Sequence, residues 1–196
     1  PKRCAMLVGA AKDVAFNAST LRDIWADEWI LPLSDPEATE SPSYATAQDV
    51  VDEWVNRMAF TVENIRVMKL GKPAGDKAEG MIQLDVLESR LSGRSLADAR
   101  DALRGVKDVW EGAGSQVTEG TAPSYGIKTL VRNVVISQLV DDSIAEAVIA
   151  LDSLEGTLEE ILVEDASRII PAQEALLELQ KAIQNDLAPS MNTTAM

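Results

Sequence analysis

Residues 88–112 read ESRLSGRSLADARDALRGVKDVWEG and carry the strongest fold signal in the chain. Apolar side chains recur here at spacings of three and four, which places them on one face of an α-helix. These side chains are Leu96, Ala99, Leu103, Val106 and Trp110. Ser95 and Asp98 have the spacing of an N-cap and its capping box, and Gly112 follows as a stop signal. The segment therefore predicts an amphipathic helix that begins at Ser95 and ends before Gly112.

The residues just before this helix, Glu88 to Ser95, form a polar segment with no apolar period, which we name the Ser/Arg turn. Polar groups beside a helix N-terminus either bind an anion or hold two elements together. Two arginines can clamp a carboxylate, either that of a ligand or that of Glu88, and the serines can complete a pocket. The candidate ligand-binding residues are Glu88, Ser89, Arg90, Ser92, Arg94 and Ser95. A purely structural junction between the turn and the helix is an equal alternative.

Two segments N-terminal to this turn show the same helical spacing. The first predicts a helix over residues 2–27, with a buried seam formed by Cys4, Leu7, Ala11, Val14, Ala18, Leu21 and Trp25. A second helix is predicted to begin at Thr46, with Asp49 in capping-box position, and to end at Gly71, Pro73 and Gly75. Its predicted inner face is Val50, Trp54, Met58, Thr61, Ile65 and Met68.

Two more long helices are predicted towards the C-terminus. The stripe of the first, over residues 137–154, is Leu139, Val140, Ile144, Ala147, Val148 and Leu151. The second begins near Pro171, and its stripe is Ala172, Leu176, Leu179, Ile183 and Leu187. Between them, Thr157 and Glu160 repeat the capping-box spacing. With five amphipathic helices and no strand pattern, we predict an all-α fold, an antiparallel up-down bundle of four to five long helices.

The remaining segments are predicted to be connections. Residues 31–44 contain three prolines, which disfavour a regular helix, and residues 76–94 form a long link with a helical turn near residues 82–87. Residues 113–124, rich in Gly, Thr and Ser, predict a flexible break open to proteases. Short helical turns are expected at residues 127–131, and the tail from Pro189 to Met196 is expected to be mobile.

Composition limits the classes of function. The chain has 32 acidic and 18 basic residues, a net charge of −14, which argues against nucleic acid or an anionic membrane as partner. Cys4 is the only cysteine, so no intrachain disulfide forms, and its place on an apolar stripe predicts burial. No run of residues is apolar enough to cross a membrane.

The absence of histidine excludes several kinds of active site within this chain. An H-E-x-x-H zinc protease, a Glu-x-x-His di-iron site and a Cys/His nucleophile all need imidazole. Acidic clusters at residues 49–53 and 155–165 offer oxygen ligands for hard cations, but they lack EF-hand spacing and match charged helix N-termini. Met58 and Met68 suit core packing better than soft-metal ligation.

Several motifs resemble the imelysin family. The run E-S-x-x-S-G-R-S-L-x-D from Glu88 to Asp98, followed by a helix ending in an aromatic residue and glycine, is the most specific. The helix from Arg3 to Trp25 resembles the one that opens the family's second half, and residues 68–73 resemble its K-L-G-x-P turn. Residues 172–188 resemble its closing helix. The resemblance predicts one domain over residues 1–196, equivalent to the second half of a two-bundle protein.

The resemblance implies a bacterial protein of the periplasm or outer envelope, with its signal or lipid anchor outside this chain. It also implies a link to iron uptake, and the family has been labelled as peptidases. The family's G-x-H-x-x-E motif lies in its first half and cannot be present here, because the chain has no histidine. The chain is therefore either a fragment paired with a missing first half or a divergent protein without that site.

Three hypotheses for the function are open, of which the first two follow from this resemblance. The first is a non-catalytic role in metal acquisition, with iron or another divalent metal held by the intact protein and no cofactor in this chain. The second is a peptidase whose metal site lies elsewhere, and the third is a helical interaction module. The expected partner is an N-terminal imelysin-like half or a second chain.

Overall fold

A computed structural model describes residues 2–39, 43–112 and 125–193 of the chain. These residues form helices and turns, with no β-strand among them, as the apolar spacing predicts. The predicted flexible break at residues 113–124 and the last three residues of the tail lie outside the described residues. The all-α class is therefore confirmed for the described part of the chain.

The chain divides into two compact units, Pro1–Val51 and Asp52–Met196. The first unit contains α1 (Lys2–Ile24), a π-helical turn (Trp25–Trp29) and α2 (Ile30–Ser34), so the helix runs past the predicted start of the 31–44 loop. The prediction of one domain over residues 1–196 stays a prediction.

The side chains of α1 are not buried, which contradicts the predicted seam. Leu7, Val14 and Leu21 are exposed, as are Met6 and Phe16 on other faces of the helix. Cys4 is also exposed, so the prediction that it packs as a small core residue is wrong. Apolar spacing marks a face that suits burial, but the face is buried only where another surface packs against it.

The second unit contains most of the buried side chains. Its helices begin with α3 (Ala47–Asn64), which crosses the unit boundary, and continue with α4 (Lys72–Ala74), α5 (Ser95–Glu111), α6 (Val134–Asp152), α7 (Leu158–Asp165), α8 (Ile170–Lys181) and α9 (Ala188–Ser190). Two π-helical turns, Ile65–Gly71 and Ala182–Leu187, join α3 to α4 and α8 to α9. Short 3₁₀ turns lie at Leu84–Val86, Arg90–Ser92, Ile127–Leu130 and Ala166–Ile169. The turns predicted near residues 82–87 and 127–131 are thus confirmed.

Local capping signals place the starts of α3 and α7 correctly. Thr157 Oγ1 accepts a bond from the Glu160 N–H, and the Glu160 carboxylate accepts one from the Thr157 N–H, which completes a capping box. The same reciprocal bonds join Thr46 and Asp49 before α3. Each box satisfies two backbone donors that the first helical turn leaves unpaired.

The predicted stripe of α5 and the one that runs through α8 into the π-helical turn Ala182–Leu187 form the centre of the core. All five predicted residues of each stripe are buried. In α6, four of the six predicted residues are buried (Val140, Ile144, Ala147 and Leu151), whereas Leu139 is exposed. α6 packs against α5 and α8, and α5 also packs against the π-helical turn Ile65–Gly71.

The buried face of α3 is rotated from the predicted one. Val50, Met58 and Ile65 are buried as predicted, but Trp54 and Met68 are exposed. The buried set also includes Val55, Ala59 and Val62, which the predicted face leaves out. Both sets repeat at spacings of three and four, so the sequence alone does not separate them. The π-helical turn then alters the phase of the run beyond Ile65. Gly71 and Pro73 lie inside this helical run, which ends at Gly75 with φ +88°.

Contacts that are distant in sequence hold the second unit together. Arg66 Nη2 donates to Gln180 Oε1 at 3.0 Å, and Gln173 Nε2 donates to Asp76 Oδ2 at 2.7 Å. Thr193, near the C-terminus, is buried and donates to Asp52 Oδ1 at 2.8 Å. The described part of the tail is therefore anchored, contrary to the expectation of mobility.

Arg100 of α5 binds the C-terminal end of α6. Its guanidinium donates to Leu151 O, in the last turn of α6, at 2.9 Å and to Leu154 O, two residues beyond that helix, at 2.6 Å. We expect Arg100→Ala to lower the free energy of unfolding by about 1.5–3 kcal/mol, the range for hydrogen bonds that involve a charged group. Urea denaturation followed by circular dichroism measures this.

Arg104→Ala is the matched control for that prediction. Arg104 lies one turn further along α5, and its ion pair with Asp101 is exposed. Its removal should change the free energy of unfolding by no more than about 0.5 kcal/mol. Equal losses in the two variants would contradict a specific role for Arg100 at the end of α6.

Candidate functional site

The Ser/Arg turn contains two changes of backbone direction before α5. The 3₁₀ turn Arg90–Ser92 ends at Gly93, whose φ of +65° is in the left-handed region that glycine adopts without strain. The Arg94 N–H then donates to Ser89 O at 3.2 Å, which closes the turn. These two features place the serines of the turn beside the first turn of α5.

Four polar side chains of this region form one hydrogen-bonded network. Ser95 Oγ accepts the Ser89 N–H at 3.2 Å, and Ser89 Oγ donates to Asp98 Oδ2 at 2.5 Å. Ser92 Oγ donates to Ser89 O at 3.1 Å. Ser95 is buried and is the first residue of α5, but its side chain makes no N-cap bond, so the predicted cap is wrong. Its hydroxyl binds the Ser89 backbone instead.

The charged residues of the turn each pair with a different partner. Arg90 donates to Glu159 Oε1 from Nε at 3.1 Å and from Nη2 at 2.8 Å. Arg94 pairs with Asp101 at 3.0 Å and with Asp98 at 3.4 Å. Glu88 pairs with Lys69 of the π-helical turn Ile65–Gly71.

These pairs connect the Ser/Arg turn to the π-helical turn, to α5 and to α7. The carboxylate that Arg90 binds is Glu159 rather than Glu88, and both guanidinium groups have partners inside the chain. The structure thus brings Ser89, Ser95 and Asp98 together and directs Arg90 and Arg94 to separate carboxylates. This arrangement favours the junction interpretation, and ligand binding by these residues stays a prediction.

The same contacts alter the ionisation of two groups. The hydrogen bond from Ser89 lowers the pKa of Asp98, and the positive charge of Arg94 contributes to the same effect. The hydrogen bond and charge of Glu159 raise the pKa of Arg90. Asp98 is therefore ionised, and Arg90 positively charged, at neutral pH, as the ion pairs of the turn require.

A second polar network, at the other end of α5, was not predicted. The buried Trp110 donates from Nε1 to Asp141 Oδ1 at 2.8 Å, and Lys128 Nζ donates to Asp141 Oδ2 at 2.7 Å. A buried indole N–H needs an acceptor, so the place of Trp110 in the α5 stripe was the available signal. Which acceptor it would find depends on how α5 packs against α6.

Asp141 links the stability of this network to pH. Partial burial alone would raise its pKa, but the bonds from Lys128 and Trp110 outweigh burial, and the pKa is lowered. A lowered pKa in the folded state contributes stability above the ordinary aspartate value of about 3.9, and this contribution is lost as pH falls through the folded-state pKa.

We therefore expect Asp141→Asn to be less stable than the unmodified chain at pH 7, with a difference that shrinks as the pH falls below about 4. Urea denaturation at pH 7, 5, 4 and 3 measures the difference. Asp142→Asn removes the same charge one residue away and controls for net charge. A difference that stays constant from pH 7 to pH 3 would contradict the role given to this carboxylate.

The two acidic clusters serve the ends and faces of helices. Asp49 and Glu160 complete capping boxes, and Asp165 accepts the Ser167 N–H at 3.0 Å. Glu53 pairs with Arg57 and Glu164 with Arg168, each one turn apart on a helix. Among the described residues, no three Cys, Asp or Glu side chains converge as a metal site would require.

The two methionines considered as soft-metal ligands lie in different environments. Met58 is buried in the core of the second unit, whereas Met68 is exposed in the π-helical turn Ile65–Gly71. Core packing, the preferred interpretation, is confirmed for Met58 and wrong for Met68.

No helix in the described ranges combines the length and the apolar character needed to span a bilayer. A family model described as imelysin, peptidase M75, matches residues 1–185. No curated protein and no solved structure matches the chain.

Proposed function

This chain belongs to the imelysin family, and from that premise we propose that it has a non-catalytic role in the acquisition of iron or another divalent metal at the bacterial cell envelope. The family assignment carries the proposal, because the matched region covers most of the chain. The periplasm or the outer envelope is the proposed location. In this role the chain supplies a helical scaffold rather than metal ligands.

The side-chain inventory supports assigning the metal ligands to another polypeptide segment. The sequence has no histidine, and the acidic clusters are used in helix caps and ion pairs. We propose that an N-terminal imelysin-like half, or a second chain, carries the G-x-H-x-x-E motif. An imidazole and a carboxylate together suit iron and other divalent metals of its row.

The exposed side chains of α1 support a partner of this kind. Met6, Leu7, Val14, Phe16 and Leu21 are large, apolar and exposed. Apolar side chains gathered on one element are typical of a surface that another protein segment covers. We propose that α1 packs against the half that carries the motif. In this arrangement the chain also acts as a helical interaction module, so the third hypothesis forms part of the proposal.

Contacts within the second unit support an antiparallel bundle. Arg100, near the start of α5, binds the end of α6, whereas Trp110, near the end of α5, binds Asp141 in the first half of α6. Likewise, Asp76 binds Gln173, Arg66 binds Gln180, and Asp52 binds Thr193. In both sets, residue numbers rise on one helical run as they fall on the other, so we infer antiparallel neighbours.

Iron titration by calorimetry tests the proposal. Anaerobic ferrous iron is added to this chain, to a polypeptide carrying the G-x-H-x-x-E motif, and to the two together. We expect saturable binding when both are present, and loss of binding when alanine replaces the motif histidine. Absence of binding by the pair would overturn the role in metal acquisition. Equally tight binding by this chain alone would overturn the assignment of the ligands to the partner.

A peptidase is the second candidate, because the matching family model is described as peptidase M75. The chemistry would have to come from the same partner, since a zinc-protease motif of the H-E-x-x-H kind needs histidine and this chain has none. Incubation of an unstructured peptide with the pair, followed by mass spectrometry, tests this. Cleavage that requires the motif histidine would favour the peptidase over the non-catalytic role.

A further inference from the structure

We propose that a pocket between α3, α5 and the 3₁₀ turn Ile127–Leu130 binds an organic cation, namely the ammonium or guanidinium group of a lysine or arginine side chain or of a small amine. The pocket lies wholly within the second unit. It shares no residue with the Ser/Arg turn, so it is separate from the site described above.

The pocket has a volume of about 290 Å³. Its main lining side chains are Trp54, Asp108, Val109, Tyr125, Ile127 and Leu130. This volume lies just below the range for pockets that hold drug-sized ligands, about 300–1,000 Å³, and suits a group the size of one side chain. The part of the wall formed by described residues is apolar and aromatic, with one carboxylate, that of Asp108.

The two aromatic rings are available to a ligand. Trp54 is 38% exposed, although its spacing in α3 predicts an inward face, and Tyr125 is 76% exposed. Tryptophan and tyrosine faces attract ammonium and guanidinium groups because the ring carries negative charge above and below its plane. Two such rings lining one pocket favour a cation over a neutral apolar guest.

Asp108 supplies the charge that complements a cation. Among the residues that the structure describes, none makes a hydrogen bond or ion pair with its side chain, and none that lines the pocket is basic. The nearest lysines in sequence pair elsewhere, Lys107 with Glu111 and Lys128 with Asp141. The net charge of −14 also attracts cations to the protein as a whole.

Nuclear magnetic resonance of the ¹⁵N-labelled full chain tests the proposal. The reporters are the Trp54 indole N–H and the backbone N–H groups of Gly126 and Ile127, and the probes are N-acetyl-arginine amide and N-acetyl-lysine amide. We expect saturable shifts confined to the pocket. N-acetyl-leucine amide, which is apolar and neutral, should bind at least about threefold more weakly than the two cationic probes.

Two variants test the ring and the carboxylate separately. Trp54→Leu and Asp108→Asn should each weaken binding of the arginine probe by about three- to thirtyfold, read from Gly126 and Ile127. Trp29→Leu is the matched ring control, because Trp29 is 39% exposed and lies in the other unit. Asp101→Asn is the matched charge control on α5. Neither control should change the affinity.

The outcomes distinguish the occupants and decide the proposal. An acetylated Ala-Ala-Arg-Ala-Ala peptide that binds about tenfold more tightly than the amide indicates a polypeptide source, whereas equal affinities indicate a small amine. Absence of saturable shifts with both cationic probes would overturn the proposal. Equal affinity for the leucine probe would also overturn it, and so would an unchanged affinity of the arginine probe for Asp108→Asn. This substitution is nearly isosteric and lies at a partly exposed position, so it should not affect folding.

Discussion

Replacing Trp110 with alanine is expected to lower the free energy of unfolding by about 3–5 kcal/mol, the range for removing a large buried aromatic side chain. Trp110 is fully buried at the end of the α5 stripe, so the substitution leaves a cavity and removes its dispersion contacts. It also removes the indole donor of the Trp110–Asp141 bond, although Lys128 still donates to that carboxylate. Few other positions combine this much buried volume with a specific polar contact.

Two further variants separate the contributions of Trp110. Trp110→Phe keeps most of the ring volume and loses the N–H, so we expect a loss of about 1–3 kcal/mol. Phe60→Ala removes an exposed aromatic side chain from α3 and should change stability by no more than about 0.5 kcal/mol. Urea denaturation followed by far-ultraviolet circular dichroism is the measurement, because it does not depend on tryptophan emission. A loss below about 1 kcal/mol for Trp110→Ala would contradict the packing described for α5.

The second large effect is expected at Gly112, the residue that ends α5. Its φ is +78°, and a Cβ atom there would lie 2.1 Å from the Gly126 backbone nitrogen. Alanine at this position adds about 1–2 kcal/mol for the left-handed conformation. The displacement of backbone atoms adds about 1–3 kcal/mol. We therefore expect Gly112→Ala to lower the free energy of unfolding by the sum of these two costs, about 2–5 kcal/mol.

Gly105 offers the same substitution with the opposite expected sign. It lies inside α5, and a Cβ atom there would meet nothing within 4 Å. Because glycine in a helix interior costs backbone entropy, Gly105→Ala should raise the free energy of unfolding by about 0.5–1 kcal/mol. Thermal and urea denaturation of the two variants side by side measure the contrast. A stabilised Gly112→Ala would show that the α5 end and residue 126 are not in contact.

The elements that the sequence predicts well are those with two independent local signals. The α5 helix combines an apolar stripe with the stop at Gly112, which donates to Asp108 O from the left-handed conformation that ends a helix. At α7, the Thr157 and Glu160 side chains satisfy each other's backbone donors, a contact made within four residues. Local contacts of this kind depend little on tertiary packing, so the residue types alone predict them.

The elements that were predicted wrongly depend on tertiary packing. In α1 the stripe from Cys4 to Leu21 has the right spacing, but nothing in the amino-acid pattern says which surface will cover it. In α3 two overlapping faces have equal periodicity, and the π-helical turn Ile65–Gly71 changes which residues face inward beyond it. Burial predicted from spacing is thus reliable only where neighbouring helices fix the rotation of the element.

The Ser/Arg turn shows the same division. Its polar residues and the helix that follows were predictable, because serine, glycine and arginine disrupt apolar periodicity. The partners Lys69 and Glu159 lie 19 and 69 residues from the residues they bind, Glu88 and Arg90. Pairing at such distances along the chain follows from the packing of whole helices. Local sequence patterns therefore do not predict which residues will pair.

The backbone contact between Gly112 and Gly126 has a consequence for how this fold can vary. Because the backbones of Gly112 and Gly126 approach each other directly, this contact helps to hold the end of α5 beside the segment that leads into α6. The contact itself does not depend on the length of the peptide that connects the two glycines. Doubling the length of such a connection costs only about 0.6 kcal/mol in closure entropy. Paired glycines of this kind make the place between α5 and α6 one where evolution, or an engineer inserting a reporter peptide, can add residues while both helices keep their packing.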